Sequence, residues 1–257
     1  RPVRDLAGVA VRIAGGDYST APPASQLDEI RDLGRAFHNM QDDIASRETR
    51  IMDLAYRDGL TQLPNRALFN DRLDAALVVA ATNSIPVAEL LMDLDHFKDV
   101  NATLGHPIGD LILRAVASRL SSVVKRATGT LARLGGDEFA ILLPGEDAAG
   151  AERVAKRILK CLEPPMTPEG HVVDVSTSIG IAIFPQHGTE RSTLLRHADA
   201  AMYAAKRGNH GMVIWDDSHD EHGQDRLSLM SGLRKAVDED QLVLFYQPMV
   251  AMGNTHE

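Results

Sequence analysis

The stretch Leu131-Ala-Arg133-Leu134-Gly135-Gly136-Asp137-Glu138-Phe139-Ala-Ile141-Leu142-Leu143 reads as two short apolar runs joined by a glycine pair. Glycine takes positive φ without a Cβ penalty, so a pair of glycines between β-prone runs predicts a hairpin. The missing side chains also let a ligand approach the backbone. Two acids, Asp137 and Glu138, follow the turn directly. Acids in a turn are commonly just solvated, so this stretch alone decides a local fold and not a chemistry.

The flanking sequence alternates in period. Val87 to Leu94 is an apolar run ending in acids, which predicts a buried strand. Pro107 to Val124, Ala148 to Leu162 and Ser192 to Lys206 carry helical periodicity, Val172 to Phe184 holds β-rich runs, and Met212 to Trp215 is a short strand. Strands mixed with crossover helices around a hairpin predict an α/β fold with a mixed sheet flanked by helices.

The first 55 residues differ in character. Leu6, Val9 and Ile13 recur at helical spacing before Gly15-Gly16-Asp17, and Pro22-Pro23 marks a connector. A second helical stretch places Ile30, Leu33, Phe37, Met40, Ile44, Ile51 and Leu54 at alternating steps of three and four, with Arg47 where an apolar residue was due. Such a stripe either packs on its own domain or forms a parallel coiled coil between two chains.

The 257 residues carry a formal net charge of −9. That balance, with no basic, aromatic-rich pattern, speaks against a nucleic-acid binder, which needs clustered Lys and Arg. Cys161 is the single cysteine, so no internal disulfide forms, and on a helix it is expected in the core. No apolar run approaches the roughly 20 residues that cross a bilayer. A chain running from Arg1 to Glu257 without an initiator Met is read as a piece of a longer protein.

The chemistry gathers at Asp93-Leu94-Asp95-His96-Phe97-Lys98. An apolar strand delivers Asp93 to its C-terminal end, the edge where open α/β sheets bind ligands. A carboxylate there is either a helix cap or a ligand for Mg²⁺, which takes oxygen donors and shares phosphate oxygens. Asp137 and Glu138 offer the second carboxylate source that metal-assisted phosphoryl transfer uses.

Gly135-Gly136-Asp137-Glu138-Phe139 is the signature of the GGDEF family. In order around it stand Asp58-Gly-Leu60-Thr61-Gln-Leu63-Pro64-Asn65-Arg66, Asp93 to Lys98, Asn101, Gly105-His106, Gly109-Asp110, Ser178-Ile-Gly180-Ile181 and Ala198-Asp199-Ala-Ala-Met202-Tyr203-Ala-Ala-Lys206. The stretch from about 56 to 216 therefore resembles GGDEF diguanylate cyclases, which join two GTP into cyclic di-GMP on a fold like nucleotidyl-cyclase and polymerase palm domains.

The resemblance implies residue roles. Asp93, Asp137 and the backbone carbonyl of Leu94 would hold Mg²⁺ or Mn²⁺, with Glu138 supporting metal or acid–base work. Asp137 would accept the proton of the attacking 3′-hydroxyl. Lys98 would offset phosphate charge, with Lys206 a further phosphate contact. Asn101 and Asp110 would read guanine, with His106 nearby. An Asp accepts both guanine N1–H and N2–H₂, which adenine does not offer. The partners implied are GTP, the product cyclic di-GMP and a second copy of the chain.

Three departures stand out. Ala102 replaces a frequent Asp after Asn101. The run Arg207-Gly208-Asn209-His210 is one residue shorter than usual, so the family's phosphate-binding Arg is missing or replaced by Arg207 or His210. The product-inhibition pattern Arg-x-x-Asp reads Arg126-Ala-Thr-Gly129, keeping the Arg and losing the Asp.

Residues 1–55 resemble a HAMP signalling domain through Arg1-Pro2, Gly16-Asp17, Asp28-Glu29-Ile30, Phe37 and Met40. Such domains usually follow a transmembrane helix, here expected upstream of Arg1, which would put the parent protein on the cytoplasmic side of the inner membrane. After a linker at 217–225, residues 226–257 resemble the opening of an EAL phosphodiesterase domain, through Leu233-Arg234-Lys235-Ala236 and Phe245-Tyr246-Gln247-Pro248. A GTP-binding module that tunes such a phosphodiesterase is the alternative to an active cyclase.

Overall fold

A computed structural model of the chain describes residues 28–219, together with residues 8 and 12. The expected linker beyond 219, the EAL-like segment and most of the HAMP-like segment before residue 28 lie outside the described residues.

Helix α1 spans Asp28–Tyr56 and leads into the domain. Then follow α2 (Arg66–Asn83), β1 (Val87–Leu94), α3 (Phe97–Leu104), α4 (His106–Arg126), β2 (Thr130–Gly135), β3 (Glu138–Pro144), α5 (Ala148–Leu162), β4 (Thr177–Phe184), α6 (Arg191–Gly208) and β5 (Met212–Ile214). The sheet runs β2-β3-β1-β4-β5. Only the β4–β5 pair is parallel, so the sheet is mixed, as the alternation of strand and helix patterns implies.

The central strand β1 explains its own sequence. Helices cover both faces of the sheet, so nearly every side chain of β1 is buried and the strand reads as a continuous apolar run. Ala88, Leu90, Met92 and Leu94 join the core built with α4 and α5. Val87 and Leu91 point the other way, into the core built with α2 and α6. Asp93 shares that second face by its period of two.

Gly180 on β4 sets the distance of α6. A Cβ there would stand 2.0 Å from the Ala198 carbonyl oxygen and 2.2 Å from the Met202 nitrogen, so helix and strand touch backbone to backbone. Lys206 lies one turn beyond Met202 on the same helix face, which carries it toward the C-terminal end of β1.

Two helices and one boundary differ from the sequence reading. α2 has apolar residues on all sides, and Val78 stays 68% exposed, so no stripe announces it. Its start signal is present: Asn65 accepts a hydrogen bond from the Leu68 amide at 3.1 Å as N-cap. α3 is only eight residues long, too short for periodicity to show. The β-rich run from Val172 becomes a strand only at Thr177. Before it, Val173 and Met166 form an isolated bridge, and the Ser176 carbonyl is taken by the Asp95 amide. Cys161 is half-buried against the α4–α5 core.

One residue of β1 violates the pattern. Glu89 faces the α2–α6 side fully buried, opposite Leu142 and Ala182, and neither carboxylate oxygen has a hydrogen-bond partner. Burial pushes its pKa from 4.5 to about 8. The unfolded carboxyl ionises at the lower value, so the unfolded state binds fewer protons across that interval. Stability therefore falls as pH rises from about 4.5 to about 8, by a total of about 5 kcal/mol. Glu89→Leu is expected to raise the calorimetric melting temperature, most at pH 8 and progressively less toward pH 5. A lower melting temperature at pH 8 would contradict this account of Glu89.

Candidate active site

Antiparallel pairing brings the end of β1 to the start of β3. Asp93 lies opposite Glu138 on β3 and opposite Ser178 on β4, and the Leu94 amide donates to the Asp137 carbonyl at 3.4 Å. Between β2 and β3 the turn uses positive φ at both glycines, +142° at Gly135 and +54° at Gly136, which places Asp137 and Glu138 against the strand end.

The carboxylates there are crowded. The Asp93 side chain is only 17% exposed and pairs with the Lys206 ammonium. Burial raises the Asp93 pKa, and the charges of Asp137 and Asp95 add to that, outweighing Lys206. Lys206 shows the reciprocal effect. Burial works against its charge, but the hydrogen bond to Asp93 and the fields of Asp93, Asp95 and Asp137 hold its pKa above the ordinary lysine value. Asp95 is turned aside to accept from the Ser178 hydroxyl at 2.8 Å.

This donor set fits a hard divalent cation. Two carboxylates, Asp93 and Asp137, and the Leu94 backbone offer only oxygen, the ligand class of Mg²⁺ and Mn²⁺. Among the described residues no group of three or more His, Cys, Asp or Glu side chains is close enough to hold a metal by itself. A site completed by substrate phosphates needs only one or two carboxylates, which is what this edge supplies.

A second group of expected residues gathers where α3 meets α4. Gly109 leaves room that a Cβ would take, 2.0 Å from Asn101 Oδ1. That oxygen is buried at the α3–α4 junction with no donor on it. Asp110 and His106 are exposed on the first turns of α4, with Asp110 next in sequence to Gly109. Lys98 is exposed on the first turn of α3, and no contact among the described residues ties it to the acids.

The supporting residues were not anticipated. Asp58 caps the turn before α2, accepting from the Thr61 amide at 2.8 Å and hydroxyl at 2.6 Å. Burial raises its pKa, but the hydrogen bonds from Thr61 and Arg133 outweigh that and carry the carboxyl below its ordinary value. Arg133 Nη1 lies 3.0 Å from both Asp58 oxygens, while Arg133 Nε and Nη2 donate to the Gly136 carbonyl at 3.0 and 2.6 Å. Arg66 Nη2 reaches Glu138 Oε2 at 3.3 Å. Every one of these residues stood inside a quoted motif, but no spacing rule links positions 58 and 133.

A mixed sheet covered by helices on both faces, with acids converging at the end of its central strand, is the architecture of nucleotidyl-cyclase and palm domains. The profile "Diguanylate cyclase, GGDEF domain" matches residues 55–212, and the chain belongs to the GGDEF family. The "HAMP domain" profile matches residues 1–46.

Among curated relatives, the bifunctional diguanylate cyclase/cyclic di-GMP phosphodiesterase MucR of Pseudomonas aeruginosa is 43% identical over 82% of this chain. The match spans 31% of MucR's own length. Among solved structures, the GGDEF domain of TpbB from Pseudomonas aeruginosa is 40% identical, with a TM-score of 0.63 over 66% of this chain and 99% of that one. The coiled coil and GGDEF domain of DgcB from Caulobacter crescentus, solved with c-di-GMP, is 28% identical, with a TM-score of 0.64 over 74% and 99%.

The family departures have structural consequences. α6 ends at Gly208, with Asn209 left-handed behind it. Arg207 lies back over the Tyr203 ring, 6.0 Å from its centroid. The His210 ring lies against Gly208, where an added Cβ would be 2.3 Å from it. Neither replacement for the phosphate-binding Arg has a described contact with the acids. At the product-inhibition pattern, a Cβ on Gly129 would stand 2.8 Å from the Leu142 carbonyl and 2.6 Å from the Leu143 side chain. Backbone cannot yield as a side-chain end does, so overpacking here costs about 1–3 kcal/mol. Gly129→Asp is expected to lower the melting temperature and to leave cyclic di-GMP binding weak by calorimetry. Tight binding by that variant, lost again on Arg126→Ala, would contradict the reading.

Proposed function

We propose that this chain condenses two GTP into cyclic di-GMP and two pyrophosphates, using Mg²⁺ or Mn²⁺. One observation carries the reading: the β1–β3 register sets Asp93, Leu94 and Asp137 together at one sheet end, while α3 and α4 hold the donor-free Asn101 oxygen against Gly109, one residue before Asp110.

The two halves divide the substrate. Asn101 and Asp110 orient the guanine edge, with His106 at the rim. Leaving a polar group that the bound base covers unpaired, the Asn101 oxygen above all, costs about 1–3 kcal/mol, which favours guanine over adenine. Asp93, Asp137 and the Leu94 carbonyl would hold the metal, which when bound stabilises charge on the phosphates. Glu138 supports that site, and Lys98 and Lys206 offset phosphate charge. The 3′-oxygen of one GTP bonds to the α-phosphorus of the other, its proton passes to Asp137, and pyrophosphate leaves with the broken bond. Phosphoryl transfer of this kind needs positioning and charge stabilisation rather than a covalent nucleophile.

Assembly is part of the proposal. Each domain takes one GTP, yet the product has two equivalent links, so two domains must face each other about a two-fold axis. α1 runs directly into the domain, and of its apolar seam Met40 and Leu54 are exposed and Ile44 is half-buried, which leaves a stripe free for a second copy. The DgcB structure, which pairs a coiled coil with this domain, supports the same layout. Tethering raises the effective concentration to roughly the millimolar range.

The wider organisation belongs to the same reading: a HAMP-like domain and signalling helix at 1–55, the cyclase domain at 56–216, a linker at 217–225 and the start of an EAL domain at 226–257. The HAMP match supports a parent protein at the cytoplasmic side of the inner membrane, although no helix among the described residues is long and apolar enough to cross a membrane. The missing phosphate-binding Arg favours the second reading, a module that binds GTP without turnover and tunes a phosphodiesterase.

Incubating the chain with GTP and Mn²⁺ at a series of protein concentrations, and weighing the products by mass spectrometry, tests all of this. The full chain is expected to yield cyclic di-GMP at a nearly constant rate per subunit, and Asp93→Ala or Asp137→Ala to yield none. Deleting residues 1–55 should make the rate rise steeply with concentration. GTP binding without product would select the regulatory reading. Wild-type turnover by Asp137→Ala would remove the catalytic assignment, and identical flat profiles would remove the coiled coil.

A further inference from the structure

We propose that Arg133 is a positioning residue that ties the exit of α1 to the signature turn, so that movement of the helix reaches the metal-holding acids. The inference rests on the cyclase reading above and adds to it the route of control.

The route begins at the last carbonyls of α1. The Asn65 side-chain amide donates to the Ala55 carbonyl at 2.8 Å, and the Asn65 backbone amide to that of Tyr56 at 2.9 Å. Those bonds fix the turn from Asp58 to Asn65 to the helix end. The turn holds Arg133 twice, since its amide donates to the Pro64 carbonyl at 2.9 Å and its guanidinium sits on the Asp58 carboxylate. The Arg133 and Asp58 side chains are only 10% and 19% exposed. A pair so sheltered from water keeps its attraction, and the planar guanidinium cannot swivel without losing donors.

The far side of the guanidinium grips Gly136. Nε and Nη2 both donate to its carbonyl, one peptide unit from Asp137. Gly136 sits at φ +54°, and the β2–β3 register slips between Arg133 and Gly135. A slipped register leaves the local ladder incomplete, so the turn takes its position from the arginine instead. Arg66, at the start of α2 and one residue beyond the Asp58–Asn65 turn, reaches Glu138 on the other side of Asp137. Residues 58–66 thus brace the signature acids at both flanks. The guanine-reading group does not share this support, because Asn101 and Asp110 stand on α3 and α4.

That separation gives the test. In the full chain, Mn²⁺ affinity is read by electron paramagnetic resonance with a non-hydrolysable GTP analogue, and amide exchange of residues 136–139 is read without metal. Arg133→Met is expected to weaken Mn²⁺ binding about tenfold or more. It should also speed exchange at the turn, leaving metal-free nucleotide affinity and exchange in the middle of β1 unchanged. Asp58→Asn, a milder change, should act in the same direction. Arg133→Lys should not rescue, since a single ammonium cannot bridge the carboxylate and the Gly136 carbonyl together.

Unchanged Mn²⁺ affinity and turn exchange in both Arg133→Met and Asp58→Asn would overturn the proposal. So would a loss of protection spread equally over β1 in Asp58→Asn, which would make the contact merely structural. Neither readout uses turnover, so a wild-type chain that binds Mn²⁺ and makes no cyclic di-GMP would refute the cyclase reading and leave this inference standing.

Discussion

The antiparallel register between β1 and β3 is the constraint on which the rest of the molecule depends. It sets Asp93 opposite Glu138 and brings the Leu94 amide to the Asp137 carbonyl. Burial raises the Asp93 pKa, and the like charges of Asp137 and Asp95 close by add to it. The fold tolerates the crowding because cations surround it. Lys206 pairs with Asp93, Arg66 touches Glu138, and Arg133 braces the turn between them. A one-residue slip of that register would turn Asp93 away from the α2–α6 face and dissolve the cluster.

Each remaining element serves the register or borrows from it. Gly180 lets α6 lie on β4 closely enough to deliver Lys206. Gly109 opens the space that Asn101 occupies, so the group proposed to read guanine is built by the α3–α4 junction rather than by the strands. The acids at the sheet end and the Asn101–Gly109 contact therefore rest on different elements.

Much of this was legible in the sequence, for identifiable reasons. β1 and α5 were read at their observed ends, because a strand buried on both faces and a helix with a clean apolar stripe each leave strong patterns. The acids of the site were legible because their motifs are local. α2 was missed, since a helix apolar on all sides has no period to detect, and α3 was too short to show one. The Asp58–Arg133–Gly136 link was beyond reach, because it joins residues 75 positions apart through side-chain geometry. Glu89 passed unnoticed inside an apolar run, and only its burial without partners shows what it costs.

The central claim is that the acids of β1 and the signature turn form one metal-binding edge, with guanine held at the α3–α4 junction. Crystals of the full chain grown with Mn²⁺ and a non-hydrolysable GTP analogue test it most directly, through an anomalous difference map at the manganese edge. The account predicts manganese density between the Asp93 and Asp137 carboxylates, Lys206 released from Asp93 toward the phosphates, and the guanine edge on Asn101 and Asp110. Manganese density elsewhere, with the Lys206–Asp93 pair intact and the purine away from Asn101, would contradict it.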